Sequence, residues 1–169
     1  TSGIGESTAY ELAKKYSLIL CGRNKEKLNQ LEDNLSSVTK VITLKFDVRN
    51  HKEVSEKILS LDNSWNNIDL LINNAGNAHG LDFIHEGDIK DWDIMIDTNV
   101  KGLLYVTKYV LESMIKNNSG HIINIGSIAG KEVYPKGNIY CASKFAVDAI
   151  SQGMRCLLYT SDAADEGHC

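Results

Sequence analysis

The sequence predicts an α/β protein of the doubly wound type, in which helices cover both faces of a parallel sheet. Short apolar runs alternate along the chain with segments of helical periodicity. Most of these runs are apolar throughout, as expected of strands that are buried on both faces. The chain also opens on a glycine-containing turn, Thr1-Ser2-Gly3-Ile4-Gly5, at the start of a helix. Such folds bind ligands at the carboxyl ends of their strands.

Each element follows from its own pattern. The first helix carries Ala9, Leu12, Ala13 and Tyr16 at positions i, i+3, i+4 and i+7 and is predicted to run to about residue 16. The later helices repeat this period, and the strands are the apolar runs between them. In chain order, the sequence predicts a strand over 17–22, a helix over 25–36, a strand over 41–46, a helix over 51–62, a strand over 68–72, a long helix over 89–117, a strand over 121–125 and a helix from Asn138.

Composition narrows the class of protein. A chain of 169 residues, 43% of them hydrophobic, has the length and apolar content of a single globular domain. The net charge is −4 and basic residues do not cluster, so neither a nucleic acid nor a membrane is the expected partner. The longest apolar runs are about four residues, against roughly 20 for a spanning helix. The four cysteines and five histidines lack metal-ligand spacing, so we expect no metal and a cytoplasmic setting.

The opening turn points to a dinucleotide cofactor. Gly3 and Gly5 at a helix start would let the backbone approach a pyrophosphate, which the free N–H groups of the helix favour. An ordinary tight turn is the alternative. At the end of the next strand stands Arg23, with no acidic residue beside it. An arginine at this position pairs with the ribose 2′-phosphate of NADP, whereas an acidic residue there hydrogen-bonds the 2′-hydroxyl of NAD. The sequence therefore favours NADP over NAD. A solvated surface Arg is the other interpretation.

A candidate acid–base pair lies near the end of the chain. Tyr140 and Lys144 are four residues apart on one helical face. A phenol ordinarily ionises at about pH 10, and a nearby ammonium stabilises the phenolate. Tyr10 and Lys14 share this spacing but lie beside their helix's apolar stripe, which predicts solvated surface. Ser127 follows the strand before Tyr140, and this context marks the Tyr140 pair as functional.

Five motifs in this order resemble the short-chain dehydrogenase/reductase family. They are Ser2-Gly3-Ile4-Gly5, Asn73-Asn74-Ala75-Gly76, Asn99, Ser127, and Tyr140 with Lys144. The match extends over residues 1–155, and the runs 97–102, 120–127 and 134–138 are most similar to the NADP-dependent 3-hydroxy acid or serine dehydrogenase branch. The resemblance implies a Rossmann fold.

The resemblance also implies roles. Tyr140 is expected to be the general acid/base and Lys144 to bind the nicotinamide ribose and favour the phenolate. Ser127 is expected to donate a hydrogen bond to the substrate oxygen and Asn99 to hold a relay water. Asp47 would meet the adenine amino group, and the 74–76 loop would pass the adenine ribose. The implied NADP-binding residues are Ser2, Gly3, Ile4, Gly5, Arg23, Asp47, Val48, Asn74, Ala75, Gly76, Tyr140 and Lys144.

The implied reaction interconverts a secondary alcohol and a carbonyl of a small substrate, such as a 3-hydroxy acid or β-hydroxy amino acid. A 3-oxoacyl-[acyl-carrier-protein] reductase and a non-catalytic NADP-binding protein remain alternatives. An epimerase relative is disfavoured because its last loop glycines usually lie three apart. His79 is either structural or a substrate contact. The resemblance further implies a homodimer or homotetramer that pairs through the 89–117 and 138–155 helices.

Two departures from the family pattern stand out. The family's first strand and first loop glycine have no counterpart before Thr1, and its last two strands and substrate lid have none after residue 155. We therefore expect an incomplete sheet and a chain that is a poor enzyme by itself. Residues 156–169 look like a translated sequencing adaptor, which predicts a non-native tail after a domain of 1–155. A native polar tail is the alternative.

Overall fold

Helices and strands alternate along the protein, which confirms the predicted α/β class. The computed structural model describes residues 1–159, with side chains described to residue 155. In chain order the described part contains α1 (Gly3–Leu12), β1 (Leu18–Gly22), α2 (Lys25–Leu35), β2 (Val41–Lys45), α3 (His51–Leu59), β3 (Leu70–Asn73), α4 (Ile89–Ile96), a π-helix (Asp97–Gly102), α5 (Leu103–Lys116), β4 (His121–Asn124), a 3-10 helix (Ile128–Gly130) and α6 (Asn138–Tyr159).

The chain divides into two compact units. The first contains Thr1–Ala75 and Lys101–Ile123 and therefore holds α1 to α3, α5 and the strands β1 to β3. The second contains Gly76–Val100 and the chain from Asn124 onward, with α4, the 3-10 helix and α6.

The strands form two short sheets. β1 and β2 run parallel, in a register that starts at Leu18 opposite Val41 and ends at Gly22 opposite Lys45. β3 pairs with β4. No ladder joins the two sheets among residues 1–159, so the sheet is in two pieces there. An incomplete sheet is what the departures from the family pattern predict.

The first unit is held together by apolar packing of α1 and α2 on β1. Its buried cluster consists of Ala9 of α1, the C-cap residue Ala13, Leu18 of β1 and Leu35 of α2. α2 begins at its cap Asn24, whose side-chain oxygen accepts a hydrogen bond from the Lys27 backbone N–H at 2.9 Å. Arg23 is the one residue between the end of β1 and this cap.

The predicted single helix over 89–117 is wrong in one respect, because a π-helix over Asp97–Gly102 interrupts it. A π-turn takes one residue more than an α-turn, so it changes the direction in which the following side chains face. Asn99 lies in this segment and is 1% exposed. Hydrophobic spacing cannot reveal such an insertion because the apolar stripe continues on both sides.

The final helix extends past residue 155, the predicted end of the domain. α6 continues to Tyr159, inside the range assigned to a non-native tail. The rest of that range lies outside the described residues. Within the part of the chain that is described, no helix is both long enough and apolar enough to cross a membrane.

Leu28 tests the packing of α2. It is 1% exposed, whereas Leu59 at the end of α3 is 65% exposed. Replacing Leu28 by Ala removes buried contacts and leaves a cavity, so we expect Leu28→Ala to lower the free energy of unfolding by about 2–5 kcal/mol. Leu59→Ala is the control and should change it by less than about 0.5 kcal/mol. Urea unfolding followed by circular dichroism measures both, and equal losses would contradict the packing described.

Candidate active site

Tyr140 and Lys144 lie one turn apart at the start of α6. Tyr140 is half-buried and Lys144 is only 8% exposed. The Lys144 Nζ lies 6.0 Å from the centroid of the Tyr140 ring. The structure therefore places the predicted phenol and ammonium side by side.

A backbone carbonyl holds the buried ammonium. Lys144 Nζ donates a hydrogen bond of 2.9 Å to the carbonyl oxygen of Ile125, the residue after β4. Burial lowers the pKa of Lys144 because removal from water penalises the charged form. A cation in such a place gains more from a neighbouring anion than an exposed cation would. A phenolate at Tyr140 is an anion of this kind.

Ser127 is the cap of the 3-10 helix that packs against α6. Its Oγ accepts the Ala129 backbone N–H at 3.1 Å, which leaves its own O–H hydrogen to donate. The 3-10 helix approaches α6 closely at Gly130. A Cβ built on Gly130 would lie 2.7 Å from the Lys144 carbonyl oxygen. Only glycine therefore allows this approach, which fixes Ser127 relative to the helix of Tyr140 and Lys144.

Asn99 uses its whole amide within the second unit. Its Oδ1 accepts the Asn77 backbone N–H at 2.8 Å, and its Nδ2 donates to the Asn77 carbonyl at 2.8 Å and to Ser143 Oγ at 3.0 Å. Both amide hydrogens are thus engaged. A relay water at this side chain would have to donate to Asn99, since no N–H is left to offer it.

A small, open cleft borders Tyr140 in the second unit. Trp92 and Met95 of α4 supply apolar lining, while Lys136 and three aspartates supply charge of both signs. Lys136 has φ 67°, a left-handed conformation that is strained for a residue other than glycine. His79 also lines the cleft, with its Nδ1 3.9 Å from Asp91 Oδ1.

The start of α1 lies in the first unit. Gly3 has φ 53°, and the cap residue Ser2 makes no side-chain hydrogen bond to the helix. The N–H groups of the first turn are therefore not capped by a side chain, as suits a helix end that receives a phosphate. A Cβ on Gly5 would lie 2.6 Å from Asn74 Nδ2, so glycine lets this turn meet the end of β3.

Arg23 follows β1 and faces a second predicted cofactor residue. Its guanidinium is 66% exposed, and its Nη1 lies 3.9 Å from Asp47 Oδ2. Arg49 binds the same carboxylate more closely, with Nη2 2.7 Å from Oδ2 and its backbone N–H 3.0 Å from Oδ1. The hydrogen bond from Arg49 lowers the pKa of Asp47 more than any other contact. Asp47 is thus held as a carboxylate beside Arg23.

The predicted site residues fall into two groups. Asn99, Ser127, Tyr140 and Lys144 all lie in the second unit. The predicted cofactor residues of the first unit are Ser2, Gly3, Ile4, Gly5, Arg23, Asp47, Val48, Asn74 and Ala75, whereas Gly76 begins the second. Of these, Ile4, Ala75 and Gly76 are exposed and Val48 is half-buried.

Sequence reasoning missed three residues of these clusters. Arg49 is two positions after Asp47, so that spacing could have suggested a local ion pair. Ser143 is one turn after Tyr140 and adjacent to Lys144, but its bond to Asn99 spans 44 positions. Asn77 contributes mainly its backbone, which leaves no signature in a single sequence. Among residues 1–159, no group of His, Cys, Asp or Glu could hold a metal.

The α/β alternation and a Tyr–Lys pair on a helix that contacts a serine-capped 3-10 helix define a dehydrogenase-type α/β protein. The model of the family "short chain dehydrogenase" matches residues 1–162, and the chain belongs to that family. It is 44% identical over 156 residues to the NADP-dependent 3-hydroxy acid dehydrogenase YdfG of Salmonella typhi. That match covers 92% of this chain and 62% of the relative, so the chain spans under two thirds of the relative's length.

Solved structures show the same likeness. Serine dehydrogenase from Escherichia coli superposes with a TM-score of 0.88 at 42% identity, covering 94% of this chain and 73% of that one. The closed form of serine dehydrogenase complexed with NADP+ gives a TM-score of 0.87, also at 42% identity, over 93% of this chain and 63% of that one. The Rossmann-type fold implied by the sequence motifs is thereby confirmed.

Gly130 tests the close packing of the 3-10 helix on α6. An added methyl group would meet the Lys144 carbonyl, so one of the two helices must move. We expect Gly130→Ala to lower the free energy of unfolding by about 1–3 kcal/mol. Gly126→Ala is the matched control, because a Cβ at Gly126 meets nothing within 4 Å. Urea unfolding midpoints measure the difference, and equal midpoints would mean that this contact does not constrain the site.

Proposed function

We propose that the protein is an NADP-dependent oxidoreductase that interconverts a secondary alcohol and a carbonyl, acting on a small 3-hydroxy acid or β-hydroxy amino acid. The observation that carries this proposal is the Tyr140 phenol beside the buried Lys144 ammonium, 6.0 Å from ring centroid to Nζ. Such a pair suits proton transfer to an oxygen that gains charge during reduction.

The chain's own residues handle the proton and the oxygen. NADPH, when bound, supplies the hydride. The Tyr140 hydroxyl then donates its proton to the alkoxide oxygen that develops on the substrate, and it takes the proton back in the oxidation direction. Ser127 donates its O–H to the same oxygen and steadies it. Asn99 is proposed to hold a water molecule that relays protons, and this water would donate a hydrogen bond to the Asn99 side chain.

Lys144 acts through charge. Its ammonium is held by the Ile125 carbonyl in a place from which water is largely excluded, so it stabilises a phenolate at Tyr140 more strongly than an exposed lysine would. The same side chain is proposed to bind the nicotinamide ribose through its remaining N–H groups. An ammonium has three donors, and the carbonyl uses one of them.

The residues of the first unit fit a phosphorylated dinucleotide. The uncapped start of α1 suits the pyrophosphate, and the missing side chain at Gly5 lets the Asn74 amide lie against this turn. Arg23 is two-thirds exposed, which leaves its guanidinium able to fork onto a 2′-phosphate. Asp47 is proposed to contact the adenine amino group. Both closely similar dehydrogenases carry NADP in their names or titles.

The charges of the cleft support the substrate class. Lys136 offers a cation for a carboxylate, and the cleft's aspartates offer anions for an ammonium group. A β-hydroxy amino acid carries both groups, and a plain 3-hydroxy acid carries one. His79 lines the same cleft and is proposed to contact substrate.

We further propose a homodimer or homotetramer in the cytoplasm, without nucleic acid or membrane partners. The helices assigned to subunit pairing carry exposed apolar side chains, namely Leu104 and Ile115 on α5 and Phe145 on α6. Cys21 and Cys141 are unpaired thiols, as is usual in a reducing compartment.

Tyr140 tests the reaction. The measurement uses two proteins. One is the 169-residue chain, and the other is a completed form, in which the N-terminal and C-terminal segments of the Escherichia coli serine dehydrogenase are added until the chain has that enzyme's length. We expect Tyr140→Phe to remove most turnover in single-turnover kinetics while NADPH binding stays nearly intact, because only the proton donor is lost.

The matched control is Tyr10→Phe, which should change almost nothing. Tyr10 has the same spacing to a lysine, but it is 41% exposed and Lys14 pairs with Glu11. A loss below tenfold in Tyr140→Phe, about 1.4 kcal/mol of barrier, would contradict the proposed role.

Arg23 tests the choice of cofactor. We expect Arg23→Ala to weaken NADPH binding at least about tenfold more than NADH binding, because only NADPH presents a 2′-phosphate to a guanidinium. Arg23→Lys should give an intermediate loss, since it keeps the charge but not the fork. Fluorescence titration measures both cofactors. Equal losses for NADPH and NADH would mean that Arg23 is only surface charge.

A further inference from the structure

We propose that Ser143 is a positioning residue that holds Tyr140 in place for proton transfer. This inference rests on the function proposed above, and it adds a residue to which no role has been assigned. Ser143 lies one turn after Tyr140 on α6 and is 0% exposed.

The Ser143 hydroxyl bridges two groups by hydrogen bonds, one as donor and one as acceptor. It donates to the backbone carbonyl of Tyr140 at 2.7 Å and accepts from Asn99 Nδ2 at 3.0 Å. Its one hydrogen is spent on the carbonyl of the residue that carries the phenol. Its acceptor capacity serves an amide from a different segment of the chain.

The bridge continues beyond Asn99. The same Asn99 amide binds both the N–H and the carbonyl of Asn77, at 2.8 Å each. Through Ser143, the backbone of Tyr140 is therefore tied to the π-helix and to the loop that holds Asn77. A shift of the first turn of α6 would break a bond somewhere in this chain of groups.

Removal of the hydroxyl would leave a specific defect. Asn99 is 1% exposed, so its Nδ2 hydrogen would lose its partner where little water can replace it. The Tyr140 carbonyl would lose the contact at the same time. A movement of α6's first turn would relieve this defect, and proton transfer is sensitive to displacements of the order of an ångström.

A second serine on α6 supplies a matched control. Ser151 donates to the Val147 carbonyl at 2.7 Å and accepts from Asn124 Nδ2 at 2.8 Å. It thus bridges a helix carbonyl and an asparagine amide, as Ser143 does, but about three turns away from Tyr140. If a serine bridge matters only for the stability of α6, the two serines should behave alike.

The experiment compares Ser143→Ala with Ser151→Ala in the completed form. We expect Ser143→Ala to lower kcat by between about 10-fold and 100-fold, with KM for NADPH changed by less than about twofold. Ser151→Ala should change kcat by less than about twofold. Circular dichroism and NADPH titration establish that each variant is folded.

A double substitution separates positioning from a general structural role. A residue that acts only through the Tyr140 hydroxyl has nothing to position once that hydroxyl is gone. We expect Ser143→Ala to lower the residual turnover of Tyr140→Phe by less than about twofold. A merely structural defect would multiply with the loss from Tyr140→Phe.

The inference is overturned if Ser143→Ala loses no more kcat than Ser151→Ala, or if its loss persists in full in Tyr140→Phe. A Tyr140→Phe variant that keeps its turnover overturns the proposed function instead, a result that the single substitution identifies by itself. Should Ser143→Ala fail to fold, Ser143→Cys is judged by the same criteria, because a thiol is of similar size but a weak donor and acceptor.

Discussion

The burial of the Lys144 ammonium is the constraint on which the candidate site depends. A cation that is 8% exposed needs polar partners, and its lowered pKa reflects the loss of water around it. The carbonyl of Ile125 is one such partner, and it ties the residue after β4 to α6. Gly130 lets the 3-10 helix press against the Lys144 carbonyl. The buried ammonium therefore ties Ile125 to the helix that carries Tyr140, and the backbone contact at Gly130 separately holds the serine-capped 3-10 helix against the same helix.

A neutral network complements this charge. Asn99, buried in a π-helix, joins the loop at Asn77 to Ser143 on α6. Buried amides of this kind are favourable only when every donor is satisfied, and the Asn99 side chain meets that condition for both of its hydrogens. The π-helix supports the arrangement because its extra residue per turn changes the face that Asn99 presents. The charge of Lys144 thus favours ionisation of Tyr140, and the hydrogen bonds of Asn99 and Ser143 hold the helix that carries both residues in place.

The sequence alone predicted those features of the site that depend on residues within one helical turn of each other. Tyr140 with Lys144 and Tyr10 with Lys14 share one spacing, and the two pairs differ in where they stand relative to the apolar stripe and to a strand end. The exposed Tyr10 and the Lys14–Glu11 pair confirm that Tyr10 belongs to the surface. The alternation of strands and helices was predictable for the same reason, because periodicity is a local property.

Contacts between distant segments were not predictable. The π-helix leaves the apolar stripe of 89–117 intact, so spacing suggested one continuous helix. The Ser143–Asn99 bond joins segments whose approach depends on the tertiary fold. Such contacts have no period, and one sequence contains no record of them.

The most direct test of this account is the titration of the Lys144 amine. Lysine labelled with ¹⁵N allows each Nζ to be followed by NMR as pH rises, with Lys144→Met used to assign the resonance. In Tyr140→Phe, where no phenolate can hold the proton on the amine, we expect Lys144 to deprotonate below the ordinary lysine value of about 10.4, because burial penalises its charged form. Deprotonation at or above that value would show a hydrated ammonium and would contradict the central claim.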